Sequence, residues 1–205
     1  MKLYIAPVSP YARMARIVVI EKGLEDRVEI IPAQTRVENS PYYRINPSGR
    51  VPYLVRDDGV GLEESSLICA CLDHLDGKPL FELPAGEAGW EARRLEALAR
   101  SLMDGLAVWL RETMRPPGEN SPTVMRHEAN RRDRLYVLWE KEIGHPLMQG
   151  PLNMGQITLA CALGFEVRIP GLDSASRPPK LAAWFDTIAA RPSFVATAPP
   201  PHQSH

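Results

Sequence analysis

The 205-residue chain lacks several things, and each absence removes a class of function. Its formal net charge is only −1, so no overall field draws it to nucleic acid or to an anionic membrane. The longest apolar run, Ile157 to Phe165, is too short to span a bilayer. The opening Met1-Lys2-Leu3-Tyr4-Ile5-Ala6-Pro7 has no extended apolar core of the kind a secretory leader needs. Cysteine is scarce, with three residues, two of them in Cys69-Ala70-Cys71. Positions two apart on a helix face different ways, so that pair makes neither a metal clip nor a disulfide, and reduced thiols in the cytoplasm are expected. The five histidines are scattered without ligand spacing, so no metal is expected. The basic stretch from Arg126 to Arg134 contains acids and no aromatic platform, and reads as a solvated helix face rather than a nucleic-acid patch. There is no internal repeat.

What is abundant is proline, 20 residues against a usual share of ~5%. The prolines fall mostly in connections, which implies stiff loops. The 44% hydrophobic content suits a globular chain of one large or two small domains.

Residues 2–6 read as a strand and Pro10 to Lys22 as an amphipathic helix, with Gly23 as its stop. Val28 to Ile31 is a second strand, parallel to the first because a helix joins them. Asn39-Ser40-Pro41 caps a short helix that ends before the turn Asn46-Pro47-Ser48-Gly49. Val51 to Val55 and Val60 to Leu62 form a hairpin about Asp57-Asp58-Gly59, and Glu64 to Leu75 is a helix. The predicted domains are an α/β unit over 1–77, a linker over 78–86, and an all-helical unit over 87–205. Helices are expected at about Glu87 to Thr113, Thr123 to Ile143, Asn153 to Gly164 and Pro178 to Arg191. His145-Pro146 interrupts the pattern, and a frayed tail begins at Ala198-Pro199-Pro200-Pro201.

Chemistry concentrates at the end of the first strand. Serine is a favoured N-cap and proline suits the first helical position, so Ser9-Pro10 fixes where the first helix starts. Such a start offers backbone N–H groups, a positive dipole end and a hydroxyl at the rim, and it suits an anion. On residue type alone Ser9 reads first as a plain cap. Val51-Pro52 is either an ordinary trans proline opening an edge strand or a cis bond that turns backbone N–H and C=O groups outward. Glu64 and Ser65 either cap a helix or bind a charged ligand there.

The element order βαβ, short helix, ββ, helix, followed by a helical domain, resembles the soluble glutathione transferases. The likeness rests on ordered segments: Ser9-Pro10-Tyr11-Ala12-Arg13 with Glu21-Lys22-Gly23-Leu24, Asn46-Pro47-Ser48-Gly49-Arg50-Val51-Pro52-Tyr53-Leu54, Leu62-Glu63-Glu64-Ser65-Ser66-Leu67-Ile68, and Leu181-Ala182-Ala183-Trp184-Phe185 with Ala190-Arg191-Pro192-Ser193-Phe194. One departure is Asn153 and Gln156, which stand where many members carry Ser or Thr and then Asp. Asparagine caps well and glutamine can answer it, so the box is expected to close.

The resemblance implies a thioredoxin-like first domain and a bacterial serine-type enzyme of detoxification that is cytoplasmic and homodimeric. Glutathione would be the co-substrate, with no metal, and a small electrophile the second substrate. Ser9 would stabilise the glutathione thiolate, with Tyr11 as a wall or second donor. Val51, ahead of a cis Pro52, would pair through its backbone with the cysteinyl part of glutathione. Glu64 and Ser65 would take the γ-glutamyl end, and Arg50 either meets the glycyl carboxylate or is solvated. Met103, Leu106 and Trp109, with Leu110, would wall an apolar second-substrate pocket between the domains, although their spacing makes them core residues first. Arg13 reads as a surface residue. The absence of cysteine between Met1 and Glu64 counts against a glutaredoxin-like role. The alternatives are a noncatalytic glutathione- or ligand-binding protein of the same fold and a glutathione-dependent isomerase or peroxidase. The first helix lacks the Ser-Ser-Cys-type run that such isomerases often show.

Overall fold

The computed structural model describes residues 1–200, so the part of the expected tail that begins at Pro201 lies outside the described residues. The described chain forms two compact units, one of Met1–Glu82 together with Ala196–Pro199, the other centred on Leu83–Val195.

The first unit is built on a four-stranded sheet in the order β2-β1-β3-β4, from β1 (Lys2–Ile5), β2 (Glu29–Pro32), β3 (Tyr53–Val55) and β4 (Gly61–Glu63). β1 and β2 are parallel, while β3 runs antiparallel to both β1 and β4. Alternation along β1 sends Leu3 and Ile5 into the core, as a period of two requires. Helix α1 (Pro10–Glu21) buries Ala12, Met14, Ala15, Ile17, Val18 and Val19. It ends in a Schellman motif: Gly23, at φ +60°, donates to Ile20 O and Leu24 donates to Val19 O. A 3₁₀ turn at Pro41–Arg44 is capped by Ser40. Helix α2 (Ser65–Asp73) buries Ile68, Cys69 and Leu72. This is the thioredoxin-like arrangement that the element order implied.

The second unit contains α3 (Glu87–Thr113), α4 (Pro122–Glu142), α5 (Pro146–Gln149), α6 (Met154–Phe165) and α7 (Pro179–Ala189), with α8 (Pro192–Ala196) closing it. Every residue of α6 from Gly155 to Phe165 is buried, which marks it as the central helix of the bundle. A Cβ at Gly155 would come within 3.2 Å of Asn153 Oδ1 and would meet Leu95 and Glu96 of α3 at ordinary contact distance, so α6 packs directly against α3 here. The capping box at the start of α6 is closed, with Gln156 N donating to Asn153 Oδ1 at 3.1 Å and Asn153 N donating to Gln156 Oε1 at 3.3 Å. Glu166, fully buried, accepts from Arg177 Nε at 2.8 Å and from the Tyr136 hydroxyl. Burial holds the Glu166 carboxyl above the ordinary range, although Arg177 opposes the rise.

Several boundaries differ from the sequence expectation. β3 begins at Tyr53 rather than Val51, and α2 begins at Ser65 rather than Glu64, which serves as its cap at φ +80°. His145-Pro146 does not merely interrupt a helix. The His145 ring Nδ1 accepts from Leu147 N at 3.2 Å and starts α5. Arg13 is buried rather than a surface residue, because the segment 196–199 returns to the first unit and Arg13 Nε donates to Thr197 Oγ1 at 3.3 Å.

Candidate active site

The strand register assembles the site. Tyr4 pairs with Tyr53 across β1 and β3, and Tyr53 pairs with Glu63 across β3 and β4. The C-terminal end of β1, the N-terminal end of β3 and the C-terminal end of β4 therefore lie side by side at one end of the sheet. From these three points the chain leads to Ser9, to Val51-Pro52 and to Glu64-Ser65. Sequence separations of more than fifty residues close into one place, and the N-termini of α1 and α2 both open there.

Ser9 sits at φ −77° and ψ 121°, outside the helix, and its Oγ accepts from Ala12 N at 3.2 Å. Arg13 N donates to Ser9 O at 3.0 Å, so the cap is held by both its side chain and its carbonyl. The side-chain bond uses an Oγ lone pair, and among the described residues the hydroxyl proton has no acceptor. A half-buried hydroxyl polarised by a helix N–H, with its proton unspent, is a donor for an anion. Tyr11 lies half-buried in the next turn.

The Val51–Pro52 peptide bond is cis. Val51 is half-buried, and its N–H and C=O form no hydrogen bond with another described residue. A half-buried backbone edge in this state offers a donor and an acceptor to an extended ligand. Pro52 behind it is buried. Arg50 is exposed, and its carbonyl accepts from Tyr42 Oη at 2.5 Å and Asn46 Nδ2 at 3.0 Å.

Ser65 is buried and Glu64 exposed. The Glu64 carboxylate accepts from Ser66 N at 3.0 Å, from Ser65 Oγ at 3.2 Å and from the Ser66 hydroxyl. Its positive φ, uncommon for a residue with a side chain, turns the chain sharply between β4 and α2.

The remaining sequence candidates belong to the helical unit. Met103 and Leu106 are buried in its core, and Trp109 is half-buried with the Arg132 guanidinium 5.4 Å from its ring centroid. Among the described residues, no group of three or more His, Cys, Asp or Glu side chains is placed to hold a metal ion, and no helix is long and apolar enough to cross a membrane. Sequence reasoning missed the contribution of Tyr42, Asn46 and Ser48, which fix the loop that carries Val51. The turn signal Asn46-Pro47-Ser48-Gly49 pointed to the loop but not to what its side chains hold.

Comparison with known proteins agrees with this geometry. Residues 8–75 match the family model described as glutathione S-transferase, N-terminal domain. A glutathione transferase family member from Pseudomonas fluorescens Pf-5, crystallised with bound glutathione, is 32% identical, with 97% of this chain and 98% of that one aligned at a TM-score of 0.87. A glutathione S-transferase from Methylobacillus flagellatus, solved with glutathione bound, is 30% identical, with 97% and 99% covered and a TM-score of 0.84. The uncharacterized GST-like protein YibF of Escherichia coli strain K12 is 29% identical over 98% of this chain and 99% of its own. The chain belongs to the glutathione transferase family.

Proposed function

We infer that this protein is a glutathione transferase that binds glutathione at the sheet end described above and stabilises its thiolate with Ser9. The observation that carries this reading is the Ser9 hydroxyl, fixed at the start of α1 at the same end of the sheet as Val51, with neither the Ser9 proton nor the Val51 backbone edge bonded to another described residue. A free thiol has a pKa near ~8.5, and lowering it by about two units requires about 2.7 kcal/mol. A hydrogen bond to a charged group contributes roughly 1.5–3 kcal/mol, and a helix N-terminus roughly 0.3–1 kcal/mol. Together they reach the required stabilisation without a general base.

The Val51 N–H and C=O pair with the cysteinyl residue, while Ser65 and the first turn of α2 take the γ-glutamyl carboxylate. Glu64 faces the ammonium, Arg50 lies toward the glycyl end, and Tyr11 forms a wall. The thiolate then attacks the electrophilic centre of a small, largely apolar second substrate. The working molecule is a cytoplasmic homodimer. Calorimetry with glutathione, followed by turnover of a generic aromatic electrophile by the unmodified protein and by Ser9→Ala, tests the reading. Glutathione binding and a serine-dependent rate support it. Binding without any turnover in the unmodified protein would leave a noncatalytic glutathione-binding protein instead.

A further inference from the structure

Behind the edge that Val51 presents lies a set of polar side chains with no role in the chemistry above. Tyr42 and Asn46 are 3% and 2% exposed, and both donate to the same acceptor, the Arg50 carbonyl, at 2.5 Å and 3.0 Å. A carbonyl oxygen has two lone pairs, so this one is saturated from inside the protein. Burial holds the Tyr42 hydroxyl above its usual pKa, which keeps it a donor across the working pH range. Asn46 is in turn locked, its Oδ1 accepting from Ser48 N at 3.1 Å. Ser48 Oγ accepts from Arg50 N at 3.2 Å and donates to Glu63 Oε1 at 2.7 Å. Glu63 is the last residue of β4, next to Glu64.

The consequence follows from the planarity of the peptide unit. Arg50 C=O and Val51 N–H belong to one rigid plane, so fixing the carbonyl fixes the direction of the N–H. That N–H has no partner among the described residues, whereas the carbonyl on the other side of the same plane has two. Two buried side chains thus aim a donor that no other described residue uses. The Ser48–Glu63 bond ties this loop to the β4–α2 junction, so the segments proposed for the cysteinyl and γ-glutamyl parts of the tripeptide share one frame.

We propose that Tyr42, Asn46 and Ser48 are positioning residues for glutathione: they orient the Val51 amide plane, and through Glu63 hold it in register with Glu64 and Ser65. The proposal rests on the reading of the site as a glutathione site. It adds that affinity for glutathione is set partly by side chains that never touch it, and that the thiolate's pKa is not. Tyr42→Phe removes one donor and Ser48→Ala removes the bridge, leaving Ser9 and α1 untouched.

The test is glutathione titration calorimetry and steady-state kinetics on Tyr42→Phe, Ser48→Ala and Ser48→Thr beside the unmodified protein. Tyr42→Phe and Ser48→Ala are expected to bind glutathione about 3- to 10-fold more weakly, the scale of one or two net hydrogen bonds. The loss should fall in KM for glutathione, with kcat and the pH midpoint of kcat unmoved, and Ser48→Thr should restore affinity by restoring the hydroxyl. Ser48 is exposed, so its alanine variant should melt with the parent, separating aim from stability. Unchanged affinity in both variants, or a loss that appears in the pH midpoint instead, overturns the positioning role while leaving the glutathione site standing. No heat with the unmodified protein overturns both.

Discussion

Replacing Ser9 separates two jobs that one hydroxyl performs. As the N-cap of α1 it accepts from Ala12 N at 3.2 Å, and losing that bond to alanine costs about 1 kcal/mol. In a chain of this size that lowers the melting temperature by about 2–4 °C. As the proposed thiolate donor it supplies roughly 1.5–3 kcal/mol, so its removal raises the pKa of bound glutathione by about 1–2 units. If the parent holds that thiol near ~6.5, Ser9→Ala at the same pH should be about 5- to 50-fold slower at saturating glutathione, because the parent itself is then only half ionised. Above pH ~9.5 both forms ionise the thiol and the rates should converge to about twofold. Ser9→Gly is the control, since glycine at an N-cap costs only a few tenths of a kcal/mol but has no hydroxyl. It should melt with the parent and react like the alanine variant. The assay is a pH profile of kcat for all three proteins, with thermal melts alongside. A deficit of equal size at every pH would mean that Ser9 does not act on thiol ionisation, and a deficit in alanine but not glycine would mean that only the cap matters.

Three further outcomes test the frame around the site. Asn153→Ala opens the capping box of α6 and removes the 2.6 Å bond from Asn153 Nδ2 to Leu147 O; urea unfolding should show a loss of about 1–2 kcal/mol. Arg177→Met leaves Glu166 buried without its cation, a change worth about 3–5 kcal/mol when the carboxyl is charged. Because burial already raises the Glu166 pKa, stability in that variant is present below the unfolded carboxyl pKa and is lost as pH rises through the folded one. Unfolding at pH 5 and pH 8 should therefore show the larger deficit at pH 8. Glu112 has the opposite sign: the Ser121 N–H at 2.7 Å, then Arg115, hold its carboxyl below the usual range. Its contribution is present above the unfolded pKa and lost as pH falls through the folded one, so melts of Glu112→Gln and the parent should separate at pH 6 and merge near pH 3.

Much of this molecule was legible because the signals were local. Ser9-Pro10, the Gly23 stop and the Asn153/Gln156 box all act within a few residues of their own helix, and each appears in the structure with the predicted bonds. The ordered segments Asn46 to Leu54 and Leu62 to Ile68 lie at one end of the sheet because the strand register brings Tyr53 and Glu63 together. His145-Pro146 does interrupt the helical pattern, since α4 ends at Glu142, but the sequence reading did not foresee that the same pair starts the short helix α5. Met103 and Leu106 show the limit of periodicity, which marks an apolar face without saying whether that face meets core or ligand.

The unforeseen features share a physical cause, which is sequence separation. Arg13 looked like a surface residue because its α1 neighbours gave no partner; the partner is Thr197, 184 residues away. The Arg16 guanidinium extends the same contact, reaching the carbonyls of Ala196 and Thr197 at 3.5 Å, next to the end of α8. Cations near a helix C-terminus are favourable, so Arg16 adds to the hold of Arg13 on the segment 196–199 that belongs to the first unit. Such a bond has no periodicity and no local motif, and composition gives it no trace. The same holds for Ser48 and Glu63, fifteen residues apart and joined only because the hairpin returns β4 to the start of β3. In this protein the residues proposed to touch glutathione come from short motifs, while the contacts proposed to aim them form only when the fold closes.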